Sequence, residues 1–184
     1  MSATSATPMP PARLLLELLT DAGQTLSFCE SLTAGLAAAT FAGVPGASKV
    51  LRGGLVTYAT ELKIELAGVP RELVDKHGVV SPECATAMAT GARQRCSSDW
   101  ALSLTGVAGP DSQDGRPVGE VWIGLAGPAG RSESIAAFTS QEQVRLAELV
   151  RRSPLEGRQE IRESAVQRCF EILIERLTGT IEPG

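Results

Sequence analysis

Residues 100–138 read W-A-L-S-L-T-G-V-A-G-P-D-S-Q-D-G-R-P-V-G-E-V-W-I-G-L-A-G-P-A-G-R-S-E-S-I-A-A-F. Three apolar runs, Trp100–Thr105, Gly119–Ala126 and Ser132–Phe138, are separated by Gly- and Pro-rich turns, and each has the length of a strand. Upstream the pattern alternates instead. A short strand at Thr25–Cys29 precedes a small-residue helix from about Leu32 to Phe41. Val44-Pro45-Gly46 is a turn, Gly53–Ala59 a second strand, and Thr60–Ala67 and Pro70–Lys76 short helices. Ser81-Pro82-Glu83 then opens an amphipathic helix to about Cys96, with Ser81 as its cap. Alternation followed by consecutive strands predicts an α/β sandwich, with helices on both faces of a mixed sheet.

The flanks are helical. Pro11 suits a first-turn position, Leu14, Leu15, Leu18 and Leu19 form an apolar face, and Gly23 ends that helix. Downstream, Gln141–Arg152 and Gln159–Leu177 flank a break at Ser153-Pro154. In the second of these, Ile161, Ala165, Cys169, Leu173 and Leu177 recur every four residues as a buried stripe. Residues 1–10 are expected to be a disordered tail and 11–184 one domain.

Composition narrows the chemistry. The chain has 184 residues, and 17 Lys+Arg against 21 Asp+Glu gives a net charge of −4. That balance offers no footprint for nucleic acid or an anionic membrane. The sole His, His77, stands at a predicted helix end, so a multi-His metal site is excluded and a His-dependent triad has no credible set. Four cysteines without a C-x-x-C pair suit buried reduced thiols in a cytoplasmic protein rather than zinc or disulfides. No run is long and apolar enough to span a membrane, and the first residues lack the pattern of a secretory signal.

Three segments could carry chemistry. In F-C-E-S-L-T-A-G, residues 28–35, Ser31 stands where a strand meets a helix, beside free N–H groups that suit an oxyanion or a phosphate. Ser before a helix is more often an N-cap, and the two readings are not exclusive. In Y-A-T-E-L-K, residues 58–63, Tyr58 ends a strand and Lys63 follows near a helix start. A buried lysine can serve as a base and a tyrosine can relay a proton, whereas a solvated lysine and an interfacial tyrosine are the plainer reading. The loop at 105–119 has the glycines that let a backbone approach a ligand, and Arg116 offers charge for a phosphate or carboxylate. An ordinary turn stepping at Asp114-Gly115 is the competing reading. Nucleotide fingerprints of the Walker or Rossmann type do not occur. Arg158, Glu160, Arg162, Glu163 and Arg168 read as a solvated helix face with i,i+4 pairs.

Taken together, ESLTAGLAA, VPGASKVLRGGLVTYATELKIELAGV, GVVSPECATAMATGA, LSLTGVAGP and RPVGEVWIGLA closely resemble the CinA C-terminal domain family, the nicotinamide-nucleotide amidases. The resemblance covers roughly residues 11–138 in family order, and GRQEIRESAVQRCFEIL resembles the family's terminal helix. It implies a three-layer α/β/α sandwich with a mixed sheet, usually dimeric, whether as a homodimer or a higher homo-oligomer. The implied activity is hydrolysis of nicotinamide mononucleotide to nicotinic acid mononucleotide and ammonia, with no metal or organic cofactor. Ser31 would be the nucleophile, Lys63 the better candidate for general base, and Tyr58 an orienting or relaying partner. Thr33, Gly35, Thr105, Gly106, Ala108, Gly109, Arg116 and Arg158 would line the substrate site, with Arg145 competing with Arg158 for the family's ligand-binding arginine.

This sequence departs from the family pattern at Asp111–Arg116, which lacks a double Gly and has Arg for Lys, and in the extra helix at 141–152. A nucleotide-binding or interaction module that has lost turnover is the alternative those departures suggest, and an amidase for another amide is a third. Full-length family members carry an N-terminal partner domain, where this chain is expected to have only its tail.

Overall fold

The computed structural model describes residues 10–179; the expectation for the first ten residues therefore falls almost wholly outside the described residues. Five strands, β1 (Leu26–Glu30), β2 (Leu51–Val56), β3 (Trp100–Gly106), β4 (Val121–Ala126) and β5 (Ser132–Ala136), form one sheet in the order β2-β1-β3-β4-β5. β2, β1 and β3 run parallel, and β4 and β5 are added antiparallel, so the sheet is mixed as expected. The helices are α1 (Pro11–Asp21), α2 (Leu36–Ala42), α3 (Thr60–Glu65), α4 (Arg71–His77), α5 (Pro82–Cys96), α6 (Ser140–Arg152) and α7 (Pro154–Thr178).

Period-two alternation sends the strands' side chains to two cores. Leu26, Phe28, Leu102, Leu104, Ile123 and Leu125 face the layer of α1, α2, α6 and α7, where Phe28, Phe41 and Phe170 meet with ring centroids 6.0–6.1 Å apart. Their neighbours Cys29, Ala101 and Ala126 face α4 and α5. This second face carries small residues because α5 lies almost on the sheet. A Cβ at Gly124 would stand 2.1 Å from Ala85 O, and one at Gly91 would stand 1.6 Å from Ala67 O. Ser103 and Thr105 fill the remaining space by donating to Ala85 O at 2.6 Å and Val79 O at 2.7 Å. Helices thus cover both faces, giving three α/β/α layers.

Three boundaries differ from expectation by three residues or more, each for a local reason. α2 begins at Leu36 rather than Leu32, because Ala34 and Gly35 turn left-handed at φ 52° and 96°. β2 ends at Val56 rather than Ala59, because Thr57 and Tyr58 turn their carbonyls toward Lys63. α7 begins at Pro154 rather than Gln159, since Gly157 lets its first turn pack against Val150 of α6: a Cβ there would lie 2.5 Å from Val150 N. Ser81 caps α5 as its position promised, accepting from Cys84 N at 3.2 Å.

β1 is the hinge of this topology. The chain leaves it through α2 to β2 on one side, then returns through α3, α4 and α5 to β3 on the other. The carboxyl ends of parallel strands that diverge in this way leave a crevice, the usual ligand position in open α/β sheets. Ser31, Thr57 and Gly106 stand at those three ends.

Candidate active site

The residue after β1 is Ser31, whose N–H still bonds Leu104 O of β3 at 2.9 Å. The ladder therefore fixes its backbone while its side chain leaves the sheet. Lys63, in α3, extends to meet it: Nζ lies 3.0 Å from Ser31 Oγ, 2.8 Å from Thr57 O and 3.3 Å from Tyr58 O. The side chain is 1% exposed. Three neighbours suit both forms of an amine. An ammonium donates to all three, whereas a neutral amine donates to the two carbonyls and accepts from the serine hydroxyl.

Burial lowers the Lys63 pKa below the ordinary lysine value, and the opposing influence of Cys84, Cys29 and Glu61 is smaller. Burial pushes Cys29 up to about 12 and Cys84 up to about 11, so both thiols are neutral at ordinary pH. A lysine held beside a serine, with carbonyls and neutral thiols around it, has the surroundings in which an amine can act as a base toward a hydroxyl.

Ser31 opens onto a cleft of about 140 Å³ that is also lined by Tyr58, Gly106, Ala108, Gly109 and Arg158. Arg158 donates to Gly109 O at 2.5 Å and to the Tyr58 hydroxyl at 3.0 Å, tying α7 to two loops around the cleft. Leu32, Val107, Asp111 and Gln113 complete the lining. The Gln113–Arg116 turn steps at Asp114 and Gly115, both with positive φ, so the tight step foreseen in this loop is present.

Other expected site residues stand elsewhere. The Thr105 hydroxyl is engaged with Val79 O, on the α5 face. Arg116 pairs with Glu120 at 3.3 Å, an arrangement that ties the loop's base together. Thr33 is fully buried, and its Oγ1 has no hydrogen-bond partner among the described residues. Gly35 serves the turn into α2. Arg145 lies on a separate groove with Leu149 and Arg152, so of the two competing arginines Arg158 is the one brought to the cleft. The Tyr58 hydroxyl bonds Arg158, and it is the Tyr58 carbonyl that touches Lys63.

The sequence reading missed two charged groups. The Glu30 carboxylate, 1% exposed, accepts from the amides of Gly35 at 3.0 Å, Ala37 at 2.9 Å and Ala38 at 2.9 Å. The N–H groups expected to serve a phosphate or oxyanion at the start of α2 are thus already satisfied by the protein's own carboxylate. Arg162, placed on a solvated face, instead donates to Leu32 O and Thr33 O, so the charges of α7 are divided between solvent and site. Its spacing of four from Arg158 was the available signal.

A larger groove of about 580 Å³ runs beside α2, α6 and α7, with Glu142, Glu160, Glu163, Arg168 and Glu171 on its walls, and there the Ser164 hydroxyl donates to Glu160 Oε1 at 3.3 Å. Among the described residues, no three His, Cys, Asp or Glu stand together as a metal site, and no helix is long and apolar enough to cross a membrane.

Comparison with known proteins places this geometry in context. The family model for the CinA C-terminal domain matches residues 10–177. A competence-damage inducible protein of Limosilactobacillus reuteri is 41% identical over 166 residues, which is 90% of this chain and 37% of that protein. One from Listeria welshimeri is 46% identical over 117 residues, covering 64% of this chain and 28% of that protein. The chain therefore spans about a third of the length of these relatives. Among solved structures, the competence/damage inducible protein CihA of Agrobacterium tumefaciens superposes with a TM-score of 0.76 at 30% identity, covering 97% of this chain and 99% of that one. A CinA superfamily protein of Escherichia coli shares the fold with a TM-score of 0.78 at 23% identity, over 96% and 94% of the two chains.

Proposed function

The chain belongs to the CinA C-terminal domain family, and from that premise we propose that it is a serine–lysine amidase. Its substrate is nicotinamide mononucleotide, and its products are nicotinic acid mononucleotide and ammonia. The observation that carries this reading is the 3.0 Å approach of the buried Lys63 amine to Ser31 Oγ at the floor of a cleft.

Neutral Lys63 takes the Ser31 proton as Oγ attacks the carboxamide carbon. The resulting oxyanion meets backbone N–H groups of the turn after Ser31, among which that of Leu32, on the wall of the cleft, has no acceptor within the described residues. The Lys63 ammonium then returns the proton to the departing nitrogen, the C–N bond breaks, and ammonia leaves an acyl-serine. Water attacks that ester with Lys63 again accepting the proton, which passes to Ser31 Oγ as the acid is released. Arg158 receives the substrate's anionic group, and Tyr58 orients Arg158 rather than relaying the proton. The protein acts in the cytoplasm as a homodimer or higher homo-oligomer, without metal or organic cofactor, and residues 11–184 belong to a single domain.

Asp111 and Gln113 on the wall of the cleft favour one second reading, a nucleotide-binding module of the same fold without turnover. Purified chain incubated with nicotinamide mononucleotide separates them. Release of ammonia that Ser31→Ala abolishes supports the amidase; calorimetric binding with no ammonia from the wild type supports the module.

A further inference from the structure

Two of the residues lining the Ser31 cleft carry charge: Arg158 on α7, and Asp111 in the loop between β3 and β4. Arg158 uses N–H groups on Gly109 O and the Tyr58 hydroxyl, which leaves further donors of its guanidinium for an anion. Asp111 is exposed, and its carboxylate has no hydrogen bond or ion pair among the described residues. The loop's own cation, Arg116, is engaged elsewhere. It pairs with Glu120 Oε1 at 3.3 Å, an oxygen that also accepts from Trp122 Nε1 at 3.1 Å.

The loop is tied down on both sides of Asp111. Two residues before it, Gly109 O is held by Arg158. Two residues after it, Gln113 and Arg116 exchange backbone hydrogen bonds of 3.2 and 2.8 Å. One cleft thus presents a cation and an anion that do not pair with each other, on walls shared with Ser31. Such an arrangement is complementary to a ligand that carries both charges, and complementarity of this kind acts chiefly on selection.

The proposed substrate is a ligand of that class. Its phosphate is anionic, and the ring that bears the carboxamide is a pyridinium, with the cationic nitrogen meta to the carbon that holds the amide. We propose that Asp111 is a specificity-determining residue that reads the charge of the ring: it favours a carboxamide on a cationic ring over the same carboxamide on a neutral one. This rests on the amidase reading of the cleft. A carboxylate attracts a nearby cation and acts only weakly on a neutral ring, so its effect is read in the preference between the two. Absolute affinity is a poorer gauge, because the same carboxylate repels the phosphate that both ligands share.

Calorimetry on the full chain carrying Ser31→Ala, to stop turnover, compares nicotinamide mononucleotide with its dihydro form. The dihydro ring is neutral, while ribose, phosphate and carboxamide are the same. The expected result is a preference for the cationic form that falls by about fivefold or more when Asp111→Asn is added. Asp111→Ala decides by the same ratio should Asp111→Asn fail to fold. A preference unchanged by the substitution overturns the inference, as does equal affinity for the two forms with Asp111 in place. Should the wild-type chain release ammonia from the mononucleotide while the preference ignores Asp111, the inference falls and the substrate reading stands. Should neither mononucleotide bind, the 1-methylnicotinamide cation and neutral nicotinamide take their place. An Asp111-dependent preference for that cation then removes the mononucleotide reading and leaves this inference standing; no preference removes both.

Discussion

Arg158 donates to the Tyr58 hydroxyl at 3.0 Å, joining α7 to the segment between β2 and α3 across 100 residues of sequence. The tyrosine is 55% exposed, and its ring stands on the wall of the cleft. Its hydroxyl therefore serves the arginine more directly than the serine. Tyr58→Phe is expected to raise KM for nicotinamide mononucleotide severalfold with kcat reduced less, and Arg158→Ala to raise KM by about tenfold to a hundredfold. Steady-state kinetics reads both; a loss confined to kcat in Tyr58→Phe would return the phenol to the proton path.

Ser31→Ala and Lys63→Ala should each lower ammonia release by about a thousandfold or more, with the double variant little worse, because the pair acts as one unit. Lys63→Arg should be equally inactive, as a guanidinium cannot shed its proton to become a base. Residual turnover near the wild-type level in either alanine variant would remove that group from the mechanism.

The lowered pKa of Lys63 fixes the direction of the pH response. In the proposed mechanism the neutral amine is the active form, so kcat should climb as pH rises through the Lys63 pKa, along a limb below the value of about 10.4 for a free lysine. Folding stability carries the same sign. Between the folded and unfolded pKa values the unfolded chain binds the extra proton, so this contribution is full above the ordinary lysine value and is lost as pH falls through the folded one. A pH–rate profile paired with denaturant titrations at several pH values measures both. A kcat that falls with pH across that window would contradict a lysine base.

Gly91→Ala should destabilise the fold by about 2–4 kcal/mol, since its Cβ would sit 1.6 Å from Ala67 O and α5 cannot retreat without leaving the sheet. Urea unfolding checks the value. An effect under about 1 kcal/mol would mean that the loop carrying Ala67 yields freely.

Asp99 accepts from Thr25 N at 2.8 Å and Thr25 Oγ1 at 2.7 Å, and these bonds hold its carboxyl below the usual carboxylate range. Asp99→Ala is expected to cost about 1–2 kcal/mol at neutral pH. Because the folded pKa is depressed, that contribution is present above the unfolded value and disappears as pH falls through the folded one. Wild type and variant should therefore converge in acid, as urea midpoints at pH 7 and below pH about 3 would show.

The sheet was legible because its strands are short apolar runs between Gly and Pro turns, and the cap at Ser81 because Ser-Pro-Glu is a local signal with a local outcome. Ser31 and Lys63 were legible as candidates from residue type, while their contact depends on α3 folding back over the end of β1. Glu30 shows why the rest was hidden. Read locally, α2 extends back to Leu32 with free amides; the buried carboxylate one residue before Ser31 claims those amides and delays the helix to Leu36. Arg162 was hidden for a similar reason, because a charged position on a polar stripe shows its partner only after tertiary docking. Thr105 was misread since strand parity turns its hydroxyl toward Val79, away from the cleft.

Both arginines that reach the Ser31 neighbourhood from outside the sheet belong to α7, the 25-residue helix that closes the described chain. During synthesis, β1, β2 and α3 leave the ribosome before α7 has been made. A nascent chain at that stage lacks both Arg158, the proposed anion receiver, and Arg162, which holds the turn after Ser31. On the proposed reading, the order of translation keeps the Ser31–Lys63 pair without its surrounding arginines until α7 docks.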